Sequence, residues 1–404
     1  RSGKELPGAI APRNAYIGAF LPYTPVHHLL MEHFDLLVMT SANYTDEPLI
    51  SDEMELSGLL GSIADAALVH DRRIAHKRDH SIPGGRIVPI RRARGFVPEP
   101  IDLPFESPQA ILALGGQEKG TFAVAKGGKA YLSAHLGDLG DYRSQRNYRE
   151  ELEDFEELLE VRPGVIVHDL HPDYFTTRLA KEMGRDRSIA VQHHHAHAAG
   201  VMAEHGLEGP VIAVSFDGTG YGTDGALWGS EFLLAHYERF ECLAHLAYIP
   251  LPGGEAAVRE PWRMALVHLH KLYGDDILES GSPAASLFEG LKADQVLELA
   301  KRGFHSPPTS SMGRLFDAVS FLLCGMSRVS YEAEAAVALE TLALQAEGEA
   351  KSYPFGLERD EESDIERLDP SLLFEGIMND LASGVPGANI ALGFHESIAS
   401  LIAK

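Results

Sequence analysis

Val211-Ile212-Ala213-Val214-Ser215-Phe216-Asp217-Gly218-Thr219-Gly220-Tyr221-Gly222 is the stretch from which the fold of this chain is read. The run from Val211 to Phe216 is apolar at all but one position and has the length of a buried strand. An aspartate ends it, and the glycines that follow let backbone N–H groups approach an anion, which suits a metal or a nucleotide phosphate. Taken alone, the phrase fits a tight Asp-Gly hairpin equally well. The same order occurs earlier: Ala110-Ile111-Leu112-Ala113-Leu114, then Gly115-Gly116-Gln117-Glu118-Lys119-Gly120-Thr121. Two successive units that each open with a strand and a glycine turn imply a duplicated α/β core. Lys119 is available for a phosphate, but the Gly-Lys-Ser/Thr ending of a P-loop is missing, so a plain turn is the simpler reading there.

Outward from these two phrases, the pattern is mixed α/β. Thr121 to Ala125 and Ala130 to Ser133 read as further strands of an antiparallel meander, Val165-Ile166-Val167 as another strand, and 141–160 and 194–205 as helices. Residues 259–350 read mostly as helices and 356–371 as a charged, exposed connection. Upstream, Leu36 to Met39, Ala67 to His70 and Ile87 to Ile90 read as strands, with a helix over 52–66. Four prolines between Val97 and Pro108 stiffen the chain and deny it ladder hydrogen bonds, which places a domain boundary there.

The chain has 404 residues, enough for two or three domains at about 100 to 200 residues each. Only Cys242 and Cys324 are present, which excludes a disulfide-stapled scaffold, a zinc ribbon and a redox Cys-x-x-Cys, and makes a reducing compartment, the cytoplasm, the expectation. The formal charge of −24 disfavours nucleic acid. Residues 1–100 are nearly balanced, with 11 basic and 12 acidic side chains, and hold the one dense basic region: Arg72, Arg73, Lys77, Arg78, Arg91, Arg92 and Arg94. That region is either a solvated edge or a groove whose guanidinium forks match phosphate oxygens. No apolar run approaches the roughly 18 residues that span a bilayer. The opening Arg1-Ser2-Gly3-Lys4 has neither Met nor a signal segment, as expected of a piece of a longer protein.

The most specific chemical feature is His193-His194-His195-Ala196-His197. On a helix, His193 and His197 share a face and suit one metal ion; His194 and His197 are the second choice, and an exposed polar helix start is the bland reading. With Asp217 the pair would make a mixed N/O site for iron, zinc or manganese. Thr40-Ser41-Ala42-Asn43 offers hydroxyl and amide groups to a nucleotide, although such turns are common.

Several longer phrases resemble one known family. Leu21-Pro22-Tyr23-Thr24-Pro25-Val26-His27-His28, the Thr40 to Asn43 turn and Arg91-Arg92-Ala93-Arg94-Gly95-Phe96-Val97-Pro98-Glu99-Pro100 are similar to the second half of the YrdC-like domain of the HypF carbamoyltransferases of [NiFe]-hydrogenase maturation. Leu132-Ser133-Ala134-His135-Leu136-Gly137-Asp138-Leu139, Asp169 to Tyr174, the histidine cluster, Asp217 to Gly222, Arg259 to Ala265 and Gly313 to Ala318 resemble that family's next domain, an actin-like ATPase fold related to the TsaD proteins. The fold so implied is a partial YrdC-like α/β domain, 1–103, followed by a partial actin-like domain, 104–404, with subdomains at about 109–205 and 206–404.

The resemblance implies formation of carbamoyl-adenylate from carbamoyl phosphate and ATP. Transfer of the carbamoyl group to the C-terminal cysteine of HypE follows, toward the cyanide ligands of the hydrogenase. It implies catalytic roles for Lys119, His135 and Asp217 and nucleotide contacts from Ser41, Asn43, Arg78, Asp79, Ser81, Gly115, Gly116, Gly218 and Gly220. A divalent metal, iron or zinc, falls to His193, His197 and Asp217, with Mg2+ accompanying ATP.

The family's acylphosphatase-like domain, its zinc fingers, the opening of its YrdC-like domain, its Ser-Gly-Gly loop and its late metal aspartate lie outside these 404 residues. Its usual Cys-Asp-Asp-Ser-Val reads Arg78-Asp79-His80-Ser81-Ile82. An incomplete metal shell and weak or no overall activity are expected of this stretch alone. Two other readings are an O-carbamoyltransferase of small-molecule biosynthesis, which carries the two domains in the opposite order, and an RNA-binding or nucleotide-sensing module.

Overall fold

An apolar run becomes a strand only where another strand lies beside it, so the ladders decide which expectations hold. The computed structural model describes residues 8–43, 49–50, 53–69, 82–83, 89–93, 95–360 and 364–403. It divides into two units, one of residues 39–209 and one of residues 1–38 with 210–404. In the latter, helix α1 (Pro25–Met31) begins at Thr24, whose Oγ1 accepts from the His27 N–H at 3.2 Å, with Pro25 at a position where no intrahelical bond is lost. Arg13 donates to Met326 Sδ and the Ala15 N–H to Thr341 Oγ1, which ties this opening segment to residues 210–404.

The unit 39–209 starts with helix α2 (Glu53–Leu59) and a minimal antiparallel pair, β1 (Ile82–Pro83) and β2 (Pro89–Arg91). Leu36 to Met39 and Ala67 to Val69 are not strands: none of them has a ladder partner among the described residues, and Leu36, Val38, Leu68 and Val69 stay exposed. Of the third expected strand, only its last two residues, Pro89 and Ile90, are described.

The main sheet of this unit has the order β4-β3-β5-β6, from β3 (Ile101–Ala113), β4 (Ala123–Leu132), β5 (Val165–Asp169) and β6 (Arg187–Val191). β3 and β4 are antiparallel; β3, β5 and β6 are parallel. The expected meander of three strands is a hairpin of two, because the second and third runs are one strand that passes through Gly127, which is held at φ +60°. The proline-rich segment, expected to be denied ladder hydrogen bonds, is part of the sheet. It enters β3, with Pro104 and Pro108 in the gaps of the register between Asp102, Ser107 and Ile111, where no ladder donor is needed. Helices α3 (Tyr142–Leu158), α4 (Phe175–Met183) and α5 (His193–Glu204) complete the unit. Its core joins Leu112, Phe122 and Ile166 to Tyr148, Phe155 and Phe175, whose rings meet edge to face at 5.2 to 5.8 Å.

The unit completed by 210–404 opens with β7 (Val211–Tyr221), β8 (Leu227–Ala235), β9 (Phe240–Leu246) and the short β10 (Ile249–Pro250). Helices α6 (Glu255–Arg259), α7 (Trp262–Tyr273) and α8 (Ala293–Lys301), strand β11 (Pro308–Thr309), and helices α9 (Met312–Cys324) and α10 (Glu334–Ala343) follow. Strands β12 (Gly356–Arg359) and β13 (Glu366–Asp369) and helices α11 (Ser371–Ala382) and α12 (Gly387–Ala403) end it. The sheet order is β10-β11-β8-β9-β13-β12, with β7 paired to β8. The expected exposed connection over 356–371 thus contains two strands: Leu368 is buried, while the charged Glu358, Arg359, Glu366 and Arg367, which made the segment read as loop, are exposed. Buried Leu266, Leu315, Phe374, Ile390 and Phe394 of α7, α9, α11 and α12 form the core. Among the described residues no helix is long and apolar enough to cross a membrane.

Candidate functional site

The glycine turn after β3 is held from three sides within its unit. The Tyr148 hydroxyl donates to the Leu114 carbonyl at 2.7 Å, Thr176 Oγ1 donates to the Gly115 carbonyl at 3.0 Å, and the Phe175 N–H donates to Gln117 Oε1 at 2.8 Å. Gly115 has φ +66°, and a Cβ there would stand 2.4 Å from the Thr121 carbonyl oxygen, so only glycine fits. Lys119 is exposed, also at positive φ, with its N–H on Asp138 Oδ1 at 2.7 Å. The turn therefore presents Gly116 and Lys119 on a rigid base. His135, expected to be catalytic, is half-buried in the connection after β4.

A Cβ on Gly116 would stand 3.6 Å from His193 Cε1, which places the first metal candidate against this turn. His193 opens α5, whose N-cap Gln192 accepts from the His195 N–H through Oε1 at 2.8 Å. The four-residue spacing does what it implies: His193 Nε2 and His197 Nε2 face one another at 3.1 Å. His194, the second choice, turns inward and is fully buried. Two ligands of one cation at about 2.0 to 2.1 Å stand about 2.9 Å apart at an octahedral centre and about 3.3 Å apart at a tetrahedral one. The observed separation falls between these values, so the pair fits a divalent metal.

What aims His193 is a residue to which sequence reading assigned no role. Its Nδ1 lies 2.7 Å from Asp169 Oδ2, at the end of β5, and the other oxygen of that buried carboxylate accepts from the His171 N–H at 2.8 Å. The signal was an aspartate closing an apolar strand, the same signal that singled out Asp217.

In the other unit, β7 does not end at Asp217. It runs on to Tyr221 through an irregularity: Phe216 pairs with Ser230 and Gly220 with Trp228, so Asp217, Gly218 and Thr219 all oppose Gly229. The hairpin turn lies further on, where the Gly222 N–H donates to the Ala226 carbonyl, and the Asp-Gly hairpin reading is thereby set aside. Gly229 makes the bulge possible, since a Cβ there would stand 2.7 Å from both the Asp217 carbonyl oxygen and Ser311 Cα. Ser311, the N-cap of α9, donates from Oγ to the Gly218 carbonyl at 2.6 Å and accepts from the Arg314 N–H at 3.2 Å. Asp317 lies one turn along α9, 2.7 Å from Arg314. Burial lifts its carboxyl to about 6, although the guanidinium pulls the other way. Asp217 and Gly218 are half-buried and Gly220 is buried.

Ser41 and Asn43 form a local turn, with the Asn43 N–H on the Ser41 carbonyl at 3.2 Å. Arg78, Asp79 and Ser81 lie outside the described residues, as does His80.

Residues 106–204 match the family model described as the HypF Kae1-like domain, and residues 213–404 the one described as carbamoyltransferase, Kae1-like domain, second subdomain. Residues 1–92 match a third, of the YrdC type, described as telomere recombination. The chain is 40% identical over 415 residues to the carbamoyltransferase HypF of Rhodobacter capsulatus, covering 99% of this chain and 53% of the relative. To that of Synechocystis it is 38% identical over 411 residues, covering 97% and 53%. A crystal structure of full-length HypF in the phosphate- and nucleotide-bound form superposes with a TM-score of 0.90 at 38% identity, over 99% of this chain and 62% of that one. The chain spans about half the length of the curated relatives it matches. With HypF models on both sides of residue 210 and likeness to parts of HypF proteins along nearly every residue of this chain, the chain belongs to the HypF family.

Proposed function

We propose that this chain is the part of a HypF-type enzyme in which carbamoyl transfer takes place, with residues 1–103 belonging to the domain that forms carbamoyl-adenylate from carbamoyl phosphate and ATP. Residues 104–404 then move the carbamoyl group to an acceptor thiolate, the C-terminal cysteine of HypE. Burial pushes the Cys242 thiol up to about 12 and also raises Cys324, which is consistent with a nucleophile supplied by the partner rather than by this chain. The family-model order, YrdC type before Kae1 type, favours this reading over an O-carbamoyltransferase with the opposite order.

The observation that carries the proposal is the pair of facing imidazole nitrogens, oriented by a buried carboxylate and set against a glycine turn. His193, His197 and Asp217 would hold iron or zinc, which polarises a carbonyl as a Lewis acid. Gly115, Gly116 and Gly220 would offer backbone N–H groups to nucleotide phosphates accompanied by Mg2+, and Lys119 its ammonium, while Gly218, whose N–H donates to Asp217 Oδ1 at 2.6 Å, would line their approach. Ser41, Asn43, Arg78, Asp79 and Ser81 would contact the nucleotide in the YrdC-like part, and His135 would serve the transfer step.

Elemental analysis of the purified full-length protein, with and without His193→Ala and His197→Ala, tests this. The expected result is near-stoichiometric iron or zinc that disappears with either substitution. Carbamoyl transfer should vanish with it, while carbamoyl phosphate-dependent adenylation persists. Metal content indifferent to both substitutions removes the centre from the proposal, and loss of both chemical steps assigns the histidines a structural role.

A further inference from the structure

We propose that Asp169 is the positioning residue that makes His193 a metal ligand, by dictating which ring nitrogen carries the proton; this rests on the metal reading of the histidine pair. The Asp169 carboxylate has two oxygens and two donors. Oδ1 accepts from the His171 backbone N–H at 2.8 Å, and Oδ2 faces His193 Nδ1 at 2.7 Å. A carboxylate is acceptor only, so His193 carries its proton on Nδ1 and directs the lone pair of Nε2 at His197 Nε2, 3.1 Å away. Without a cation His197 donates from Nε2 across that gap. With one, both Nε2 lone pairs turn to it. Carboxylate-held imidazoles of this kind are aimed and made more basic by their outer partner.

The backbone that carries Asp169 is held as well. Thr177 Oγ1 lies 2.8 Å from the His171 carbonyl and 3.1 Å from the Asp169 carbonyl and shares its one proton between them, so the segment from Asp169 to His171 is anchored to the first turn of α4. The neighbouring Thr176 and Phe175 bond the glycine turn at Gly115 and Gln117. One short connection, 169–177, thus aims the histidine and holds the turn on which it rests.

The consequence is specific to the isosteric change Asp169→Asn. The His171 N–H is backbone and cannot invert, so it claims the amide oxygen of the asparagine and leaves the amide NH2 facing His193 Nδ1. That nitrogen must then accept, and the proton moves to Nε2, the atom the metal needs. A turned asparagine would set NH2 against the backbone N–H in a site where Asp169 is only 7% exposed.

The test is a Zn2+ competition titration of the intact protein as wild type, Asp169→Asn, His193→Ala and His197→Ala, with long-range 15N–1H spectra of the imidazoles in the metal-free state. Asp169→Asn is expected to weaken zinc by about 10- to 100-fold, with the His193 proton moving from Nδ1 to Nε2. Unchanged zinc affinity in a folded Asp169→Asn protein overturns the proposal. So does a wild-type His193 protonated on Nε2, a result that needs no variant to fold. Zinc affinity unchanged in both alanine variants would instead refute the metal reading, and the wild-type tautomer would still decide what Asp169 does.

Discussion

Gly229 and Gly218 lie on opposite sides of the β7–β8 ladder and differ in the room each leaves for a side chain. At Gly229 there is no room, with the Asp217 carbonyl and Ser311 Cα each 2.7 Å from any Cβ; at Gly218 nothing lies within 4 Å of one. Gly229→Ala is therefore expected to cost about 1 to 3 kcal/mol in denaturant unfolding, the usual penalty of overpacking against backbone that cannot yield. Gly218→Ala is expected to change stability by less than about 0.5 kcal/mol. Any effect it has should appear in nucleotide affinity, because its space is what an approaching phosphate would use. Equal destabilisation by the two substitutions would mean that the bulge is not shaped as described. The histidine pair was legible at this scale because spacing alone puts positions four apart on one helical face. Asp169 was not, since its partner lies 24 residues away on another element.

Among the elements, α9 has the clearest link to the candidate chemistry. Its N-cap, Ser311, both satisfies the Arg314 N–H and bonds the Gly218 carbonyl, so the start of the helix and the bulge of β7 are one hydrogen-bonded piece. Ser311→Ala should lower stability by about 1 to 2 kcal/mol through the lost cap. Ser311→Thr should restore most of it by returning the hydroxyl. Retained stability in Ser311→Ala, measured by thermal unfolding, would show that water replaces both bonds. The strands that sequence reading placed most accurately, Val165 to Val167 and the start of β7 at Val211 to Phe216, are apolar at every position but Ser215. Those it misplaced, Ile101 to Ala113 and Glu366 to Asp369, carry prolines or charges whose acceptability depends on which edge faces a neighbour.

At the scale of the molecule, titration of the core gives a signed pH dependence. His268 is buried against Phe374, ring centroids 4.6 Å apart. Burial, assisted by the positive Lys271 and opposed by Asp369, lowers it from its ordinary 6.5 to about 3. Between these values the unfolded chain binds a proton that the folded chain does not, so stability rises with pH across that window. The contribution is complete above about 6.5 and is lost as pH falls toward 3, with a slope of up to about 1.4 kcal/mol per pH unit. His268→Phe keeps a ring on Phe374, and its urea midpoint should fall less steeply than wild type from pH 6.5 to 4; parallel curves would refute the assignment. The charge of −24 belongs to the same scale. Filter binding to tRNA at two salt concentrations should detect no retention at either, and salt-sensitive retention would revive the RNA-binding alternative.

By itself the sequence determined the residue types and their local periods: two strand-and-glycine phrases, a histidine pair one helical turn apart, a strongly acidic surface, and phrases long enough to point to one family. These are readable because each is set by contacts within a few residues along the chain. Tertiary structure alone decided that β7 runs on past Asp217 and that a proline-bearing segment can be a strand. It alone decided that Leu36 to Met39 is not one, and which carboxylate meets His193. Each of those outcomes depends on a ladder partner or a hydrogen-bond partner brought from a distant part of the chain, and a lone residue carries no mark of the neighbour that will complete it.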